Sequence, residues 1–272
     1  MVRQDSGSRE EMLKQIRANK EQSFPSRFGF LNEVKGLRKG CSTGLLGTTG
    51  SGKSSIAQAI VADTLEVATV LLLLSEDKFK EYQIGIALAN PQYNFKNLKY
   101  LEQDSIPEEL KENHTELFKF YEDQIVESGA QLVIWDNPTT SPFYSSGFTF
   151  RQQEQTLYNF RRMAQRLNIA FIYLLHTQKD VRDNMGRLIE GEDVRGSNQS
   201  FQLADYFFIF QKFMIDDKFY PFIRIRKHRY HRFLTNFFFI LTYKDGTYLN
   251  DTPVEFKAIN DAFLRRNYLG KK

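Results

Sequence analysis

Short apolar runs alternate along the chain with segments in which apolar residues recur at helical spacing, beginning near residue 36. Apolar runs bounded by turn residues are typical of buried strands, and their alternation with helices indicates βαβ units and a parallel sheet. We therefore predict an α/β fold with a twisted, mostly parallel sheet flanked by helices and a more antiparallel edge formed by residues 221–243. The predicted strands are 41–46, 69–75, 131–135, 169–175, 205–211, 221–227 and 236–243.

The same pattern divides the chain into three parts. Residues 8–22 are predicted to form a polar helix that carries Met12, Leu13 and Ile16 on one side. Such a helix has too little apolar surface to be stable by itself, so it packs either on its own domain or on a neighbouring subunit. The predicted parts are an N-terminal helical arm and linker (1–28), one core (29–250) and a C-terminal tail (251–272).

Composition narrows the class of protein. Across 272 residues, Lys and Arg total 37 and Asp and Glu total 33, and the net charge of +4 is too small to indicate nucleic-acid binding by itself. The single cysteine, Cys41, excludes a disulfide framework and suits a reducing compartment. No apolar run is long enough to cross a membrane. We expect a soluble protein of the cytoplasm (the host cytoplasm for a viral protein), with an organellar matrix as the alternative.

Residues 47–54 contain a complete G-x-x-x-x-G-K-S phosphate loop, placed between an apolar run and a helical segment. Glycines let consecutive backbone N–H groups converge on a polyphosphate, and the helix N-terminus adds partial positive charge. Lys53 would reach the β- and γ-phosphates, while the Ser54 hydroxyl would hold Mg²⁺. The sequence therefore predicts ATP or another NTP, with Mg²⁺, as cofactors. The predicted nucleotide-binding residues of this segment are Gly47, Thr48, Thr49, Gly50, Ser51, Gly52, Lys53, Ser54 and Ser55.

Acidic residues follow two of the predicted strands. Glu76 and Asp77 come after strand 69–75, and Asp136 follows strand 131–135. Each acid could simply cap a strand end, but two such acids in a chain with an intact phosphate loop favour a catalytic site. Glu76 would orient the attacking water, and Asp136 would complete the Mg²⁺ site with Ser54.

A histidine, rather than an acid, ends the strand predicted over residues 169–175. His176 could sense the γ-phosphate, or it could be a hydrogen-bonded histidine without a functional role. The polar stretch 177–187 that follows is typical of a surface loop.

Basic residues are concentrated near the C-terminus. The segment 222–232 contains seven basic or imidazole side chains, with Ile223 and Ile225 alternating with arginines as on a strand. An edge strand protected from aggregation by its charges is one interpretation.

The order of these motifs resembles the RecA-fold ATPase domain of ring-shaped DnaB-type replicative helicases, most closely the phage helicase-primase and Twinkle branch. The resemblance covers residues 29–250. Its most specific part is 193–205, D-V-R-G-S-N-Q-S-F-Q-L-A-D, which is similar to that branch's D-L-R-G-S-G … Q-x-(S/A)-D segment. The basic strand ends in Lys227-His228-Arg229, similar to the branch's K-x-R ending.

The resemblance implies roles by position. Glu76 matches the catalytic glutamate, Asp136 the Walker B aspartate, and His176 the switch between the γ-phosphate and nucleic acid. Arg229 matches the arginine finger and Lys227 its companion, both acting on nucleotide bound by the adjacent subunit. Residues 177–192 match the channel loop that grips single-stranded DNA, although this loop has no obvious aromatic platform, so its contacts would be to phosphates. The implied nucleic-acid contacts are Lys179, Arg182, Arg187 and Arg195.

The function implied by the resemblance is a hexameric, NTP-driven ring that translocates on single-stranded DNA and unwinds duplex DNA, with a primase or polymerase as partner. Two alternatives stay open. One is a recombinase or KaiC-like ATPase, which would form filaments or act on protein. The other is a helicase loader or accessory ATPase with slow turnover.

Overall fold

The computed structural model describes residues 23–34, 37–76, 79–93, 95–145, 147–178, 181, 187–195, 199–215, 218–230 and 237–254. The helix predicted over 8–22 lies outside these residues, as do Asp77, Lys179, Arg182 and the part of the predicted tail after residue 254. In the described part of the chain, no helix combines the length and the apolar character needed to cross a membrane.

The described residues form helices, strands and short 3-10 turns. The helices are α1 (Gly29–Glu33), α2 (Lys53–Thr64), α3 (Phe79–Ala89), α4 (Glu108–Lys111), α5 (His114–Ser128), α6 (Pro142–Ser145), α7 (Phe150–Leu167) and α8 (Gln199–Leu203). The strands are β1 (Ser23–Phe24), β2 (Leu37–Arg38), β3 (Ser42–Gly47), β4 (Val70–Leu74), β5 (Leu98–Glu102), β6 (Leu132–Asp136), β7 (Ala170–His176), β8 (Tyr206–Ile215), β9 (Lys218–His228), β10 (Phe238–Lys244) and β11 (Thr247–Val254).

Nine of these strands form one sheet in the order β11-β10-β9-β8-β3-β7-β6-β4-β5. The strands from β8 to β5 in this order are parallel to their neighbours, whereas β9, β10 and β11 are joined to β8 and to one another by antiparallel pairing. The predicted α/β class, with a mostly parallel sheet and an antiparallel C-terminal edge, is therefore confirmed.

The central strands β3, β4, β6 and β7 are buried along their whole length, on both faces of the sheet. In β4, Val70, Leu72 and Leu74 belong to one apolar cluster, and the alternate residues Leu71 and Leu73 belong to another. A strand buried on both faces has a continuous apolar run, which is why the sequence predicts β4 so clearly.

Two strands of the sheet have no counterpart among the predicted strands. In β5, only Leu98 and Leu101 are buried, and the two residues between them are exposed because this strand lies at the edge of the sheet. The opposite edge strand, β11, is largely polar and contains Pro253, which an edge strand tolerates because its N–H need not join a ladder.

Helix α1, near the start of the described chain, contacts strand β11 at its end. The Asp251 carboxylate accepts hydrogen bonds from the backbone N–H groups of Gly29 (2.5 Å) and Phe30 (2.8 Å), at the start of α1. Strand β11 therefore runs across the predicted boundary at residue 250 and contributes to the core. Phe24 and Phe28, in the predicted linker, are also buried.

Candidate nucleotide-binding and hydrolysis site

The carboxyl ends of the central parallel strands bring the predicted site residues together. Gly47 at the end of β3 is in register with His176 at the end of β7, and Leu74 at the end of β4 is in register with Asp136 at the end of β6. Glu76 lies two residues beyond β4. In open parallel sheets this edge is where ligands bind.

The phosphate loop connects β3 to α2 through backbone conformations that require glycine. Gly50 has φ of 72° and Gly52 has φ of 105°. A Cβ atom at Gly52 would also lie 3.0 Å from the Tyr248 hydroxyl. Side chains at either position would therefore be strained.

The loop has the features expected of a phosphate site. Lys53, the first residue of the 12-residue helix α2, is buried, and its Nζ donates to the backbone oxygens of Gly47 (3.1 Å) and Thr48 (2.8 Å). The N–H groups in the first turn of a helix have no intrahelical acceptor. Among the described residues, the buried Ser51 hydroxyl also lacks a hydrogen-bond partner. A polyphosphate would satisfy these groups, so the loop fits the predicted nucleotide.

Ser54 and Asp136 form the pair expected at a magnesium site. The Ser54 hydroxyl donates to Oδ2 of Asp136 over 2.7 Å. Mg²⁺ prefers oxygen ligands at about 2.0–2.1 Å in octahedral geometry, which places neighbouring ligands roughly 2.9 Å apart. The two oxygens therefore have the chemistry and the spacing of adjacent Mg²⁺ ligands.

Tyr82 also contacts Asp136, and the sequence analysis missed this contact. Its hydroxyl, on the completely buried side chain in α3, donates to the same Oδ2 of Asp136 over 2.7 Å. A tyrosine on the buried face of a helix needs a partner for its hydroxyl. That requirement is the only sequence signal for this contact.

A second network joins the phosphate loop to Glu76. His176 Nδ1 lies 3.1 Å from the Thr49 hydroxyl and 3.3 Å from Lys53 Nζ, and Nε2 on the other side of its ring lies 3.3 Å from a carboxylate oxygen of Glu76. The Asn137 side chain donates from Nδ2 to that same oxygen and lies 3.0 Å from His176 Nε2. The sequence analysis missed Asn137, which follows Asp136 through a cis peptide bond.

The surroundings of His176 favour its neutral form. Burial lowers the pKa of the imidazole, and the positive charge of Lys53 lowers it further, whereas Glu76 acts in the opposite direction. The ring is therefore neutral near pH 7. A neutral imidazole can contact the lysine ammonium and the glutamate carboxylate at the same time, because one ring nitrogen can accept while the other donates.

Arg229 and Lys227 lie far from the phosphate loop of their own chain. The end of β9 is paired with Tyr206 at the start of β8, and Tyr206 is in turn paired with Thr43 near the start of β3. Because β3 has six residues that rise about 3.3 Å each, its two ends are roughly 17 Å apart. The structure therefore does not bring Arg229 into its own nucleotide site.

Both cations are bound within their own subunit. Arg229 forms an ion pair with the buried carboxylate of Asp205 (3.1 Å). Lys227 Nζ donates to the backbone oxygens of Phe201 (3.0 Å) and Gln202 (2.6 Å) at the end of α8. Burial and the neighbouring Arg229 lower the pKa of Lys227.

The segment after His176 returns to the site and is attached to it. Thr177 pairs with Val194 in an antiparallel bridge, and the exposed Arg195 donates its backbone N–H to the oxygen of His176 over 2.8 Å. Arg187 is exposed, but its guanidinium binds Asp193 through two hydrogen bonds of 2.6 and 2.7 Å. These bonds lower the pKa of Asp193. Of the predicted nucleic-acid contacts, Arg195 is therefore bonded to His176, and Arg187 is bonded to Asp193 of the same segment.

The basic strand holds this segment in place. Arg224 is buried and binds Glu190 (3.0 Å), and Arg226 binds the other carboxylate oxygen of Glu190 (2.8 Å). The alternative of a charged edge strand is wrong, because β9 lies between β8 and β10. Its alternating arginines pair with an acid from a neighbouring segment instead of facing solvent.

Comparison with known proteins supports the architecture. No protein-family model and no curated protein matches the sequence. The crystal structure of a KaiC-like protein from the hyperthermophilic archaeon Pyrococcus horikoshii is similar, with a TM-score of 0.62 and 13% sequence identity over 85% of this chain and 99% of that chain. The chain has a RecA-like fold. At this identity the likeness concerns the fold, and it does not single out the DnaB and Twinkle branch among RecA-like proteins.

Proposed function

We propose that this RecA-like protein is a Mg²⁺-dependent NTP hydrolase, with ATP as the first nucleotide to test. The observation that carries the proposal is the chain of contacts from the phosphate loop through His176 and Asn137 to Glu76. A phosphate loop by itself binds nucleotide. A carboxylate held beside it can also orient water for attack on the γ-phosphate.

Each residue has a defined task in this proposal. The loop N–H groups and Lys53 hold the phosphates and offset their charge, while Glu76 orients the attacking water and accepts its proton. Ser54 and Asp136 would hold Mg²⁺, which when bound supplies positive charge to the phosphate oxygens. Phosphoryl transfer depends mainly on such positioning and charge stabilisation.

We further propose that the site is completed by Arg229 of a neighbouring copy. Arg229 is partly exposed and lies at the opposite end of the strands from its own loop, which supports a role at another subunit's nucleotide. A guanidinium stays charged and can bond two phosphate oxygens at once. Head-to-tail contacts of this kind close into rings or extend as filaments.

Among the finer functions, the structural likeness favours a KaiC-like ATPase. The similar protein is matched over 99% of its length, so almost its whole architecture is shared. On this proposal hydrolysis drives a change in a self-assembled particle or in a protein partner, and single-stranded DNA leaves the rate unchanged.

A ring-shaped DNA helicase is the second candidate, and a different observation favours it. The backbone oxygen of His176 accepts a hydrogen bond from the N–H of Arg195, and the segment 187–195 carries a second arginine, Arg187. A change at the γ-phosphate would pass through His176 to these cations. That coupling is what translocation along a phosphate backbone requires.

One experiment tests the hydrolase and separates the two finer functions. The rate of Mg²⁺-ATP hydrolysis is measured for the parental protein and for Lys53→Ala, with and without single-stranded DNA, and the solution mass is measured with a non-hydrolysable analogue. We expect hydrolysis that Lys53→Ala abolishes. A parental rate no higher than that of Lys53→Ala would reject the proposed function.

The effect of DNA then decides between the candidates. Stimulation by single-stranded DNA together with directional unwinding would establish the helicase. A DNA-independent rate with nucleotide-dependent assembly would favour the KaiC-like ATPase.

A further inference from the structure

We infer that Asn137 is a positioning residue, which holds the Glu76 carboxylate beside the His176 imidazole in the arrangement that hydrolysis needs. The inference rests on the proposed NTP hydrolase function and adds to it a residue that acts through two others.

The orientation of the Asn137 amide is fixed by its own turn. The side chain is completely buried, and its Oδ1 accepts hydrogen bonds from the backbone N–H of Thr140 (3.2 Å) and from the Thr139 hydroxyl (2.6 Å). A backbone N–H can only donate, so the atom facing it must be the amide oxygen. The amide nitrogen therefore points the opposite way, into the site.

That nitrogen faces both Glu76 and His176. Nδ2 donates to the Glu76 carboxylate and lies 3.0 Å from His176 Nε2. Because His176 Nδ1 accepts from the Lys53 ammonium, Nε2 carries the ring proton. Asn137 and His176 therefore both donate to the same carboxylate oxygen of Glu76. Asn137 is thus bonded on one side to a 3-10 turn and on the other to the proposed base, next to the proposed switch.

Glu76 depends on such a contact because little else holds it. Its side chain is 48% exposed, and it lies beyond the end of β4. A glutamate in that setting loses rotamer freedom only through specific bonds. Asn137 is the fixed partner, since its amide is anchored by Thr139 and Thr140, whereas His176 also contacts Thr49 and Lys53 of the phosphate loop.

The position of Asn137 also links nucleotide binding at the phosphate loop to the orientation of Glu76. His176 is the common neighbour of the phosphate loop and of Asn137, so a displacement of the imidazole by phosphate changes what the amide nitrogen can do for Glu76. Asn137 therefore makes the orientation of the carboxylate depend on occupancy of the loop.

The test separates the role of the Asn137 amide nitrogen, which donates to Glu76, from that of its oxygen, which caps the turn. Asn137→Asp keeps an oxygen for Thr139 and Thr140 but replaces the amide donor by an acceptor that repels Glu76. We expect kcat to fall by about 10- to 100-fold, as for other groups that orient a reactive residue, with an unchanged Kd for nucleotide measured by calorimetry. Thr139→Val is the matched control, because it removes a bond to Oδ1 and leaves the donor in place; its kcat should stay near the parental value.

A second variant tests whether any loss of activity comes from misfolding. Asn137→Ser can still cap the turn through its hydroxyl but is too short to reach Glu76, so its kcat should fall as in Asn137→Asp. A parental kcat in either folded variant, or an equal loss in Thr139→Val, would overturn the inference. A parental protein without NTP hydrolysis would overturn the proposed function, and this inference with it.

Discussion

The Nε atom of Arg229 lies 3.1 Å from Oδ1 of Asp205, a carboxylate that is completely buried where β3 and β8 begin. Asp205 is itself fixed by the backbone N–H of Ser42 (3.0 Å) and by Arg161 (3.1 Å). The buried acid therefore anchors Arg229 at the opposite end of the parallel strands from its own phosphate loop. Because the Arg229 side chain remains 39% exposed, part of the guanidinium is available to a second subunit.

Arg229 should act on the neighbour's nucleotide, so two inactive variants should complement each other. Arg229→Ala is expected to lower hydrolysis by about 10³-fold, the usual effect of losing an arginine finger. Lys53→Ala should lose nucleotide binding. Mixed assemblies contain interfaces that combine an intact loop with an intact arginine, so partial activity should return when the two variants are mixed.

The control for this experiment is Arg166→Ala. Arg166 is an exposed arginine of α7 paired with Glu122, and its loss should leave hydrolysis unchanged. If subunits of Arg229→Ala and Lys53→Ala exchange but no activity returns, Arg229 does not complete the neighbouring site. Full activity in a monomer would also exclude the interface mechanism.

Glu76→Gln should separate nucleotide binding from turnover. The amide keeps the shape of the side chain but cannot accept a proton from water, so kcat should fall by at least about 10²-fold. Nucleotide affinity, followed by calorimetry, should remain near the parental value, in contrast to Lys53→Ala. Hydrolysis at the parental rate would show that Glu76 is not the base.

Tyr82→Phe should weaken the response to Mg²⁺. The Tyr82 hydroxyl orients the Asp136 carboxylate through a hydrogen bond. Loss of such a partner of a metal ligand lowers metal affinity by about 10-fold or more. The measurement is the Mg²⁺ concentration that gives half-maximal hydrolysis. Tyr144→Phe loses a comparable hydrogen bond to the backbone oxygen of Gln153 and should not change that concentration. An equal Mg²⁺ requirement in Tyr82→Phe and the parental protein would exclude the positioning role of Tyr82.

If the protein binds single-stranded DNA, the basic residues of the predicted channel loop 177–192 should determine how strongly the binding constant depends on salt. Replacing Lys179, Arg182 and Arg187 by alanine removes three cations that would neutralise DNA phosphates. The slope of log K against log[salt] should therefore decrease in magnitude by about 0.7 for each phosphate that is no longer neutralised. The control replaces three exposed lysines elsewhere, namely Lys96, Lys99 and Lys119.

An unchanged slope in the loop variant would place the DNA contacts elsewhere on the protein. Because Asp193 already binds Arg187 through two hydrogen bonds, Arg187 should contribute less to the slope than a cation without an acidic partner would.

The protein should lose stability as the pH falls below about 6.5, the ordinary pKa of histidine. The pKa of His176 is lowered by burial and by Lys53, so the unfolded chain takes up the proton more readily than the folded protein. The contribution of His176 is complete above that pH and decreases below it. His176→Gln should therefore show a smaller drop in Tm between about pH 7.5 and about pH 5.5, a range in which ordinary carboxylates stay ionised. An equal drop in both proteins would contradict this assignment.

Local pattern was sufficient for much of the sheet. The seven predicted strands all occur, because strands buried on both faces have continuous apolar runs that can be recognised without knowing their neighbours. The edge strands β5 and β11 were missed, since an edge strand buries few side chains and resembles a loop in sequence. The interior position of β9 was also hidden, because its arginines are neutralised by Glu190, which lies in another segment.

The sequence by itself determined the phosphate loop, the seven strands with a clear apolar pattern, and the acids and the histidine that end the central strands, because each depends on residues close together in the chain. Only the tertiary structure decided which partners these residues have. Asn137 is 61 residues from Glu76 and 39 from His176, and Tyr82 is 54 residues from Asp136. Such contacts depend on the order of the strands in the sheet, and a short buried side chain can bond only to the groups that this order places beside it.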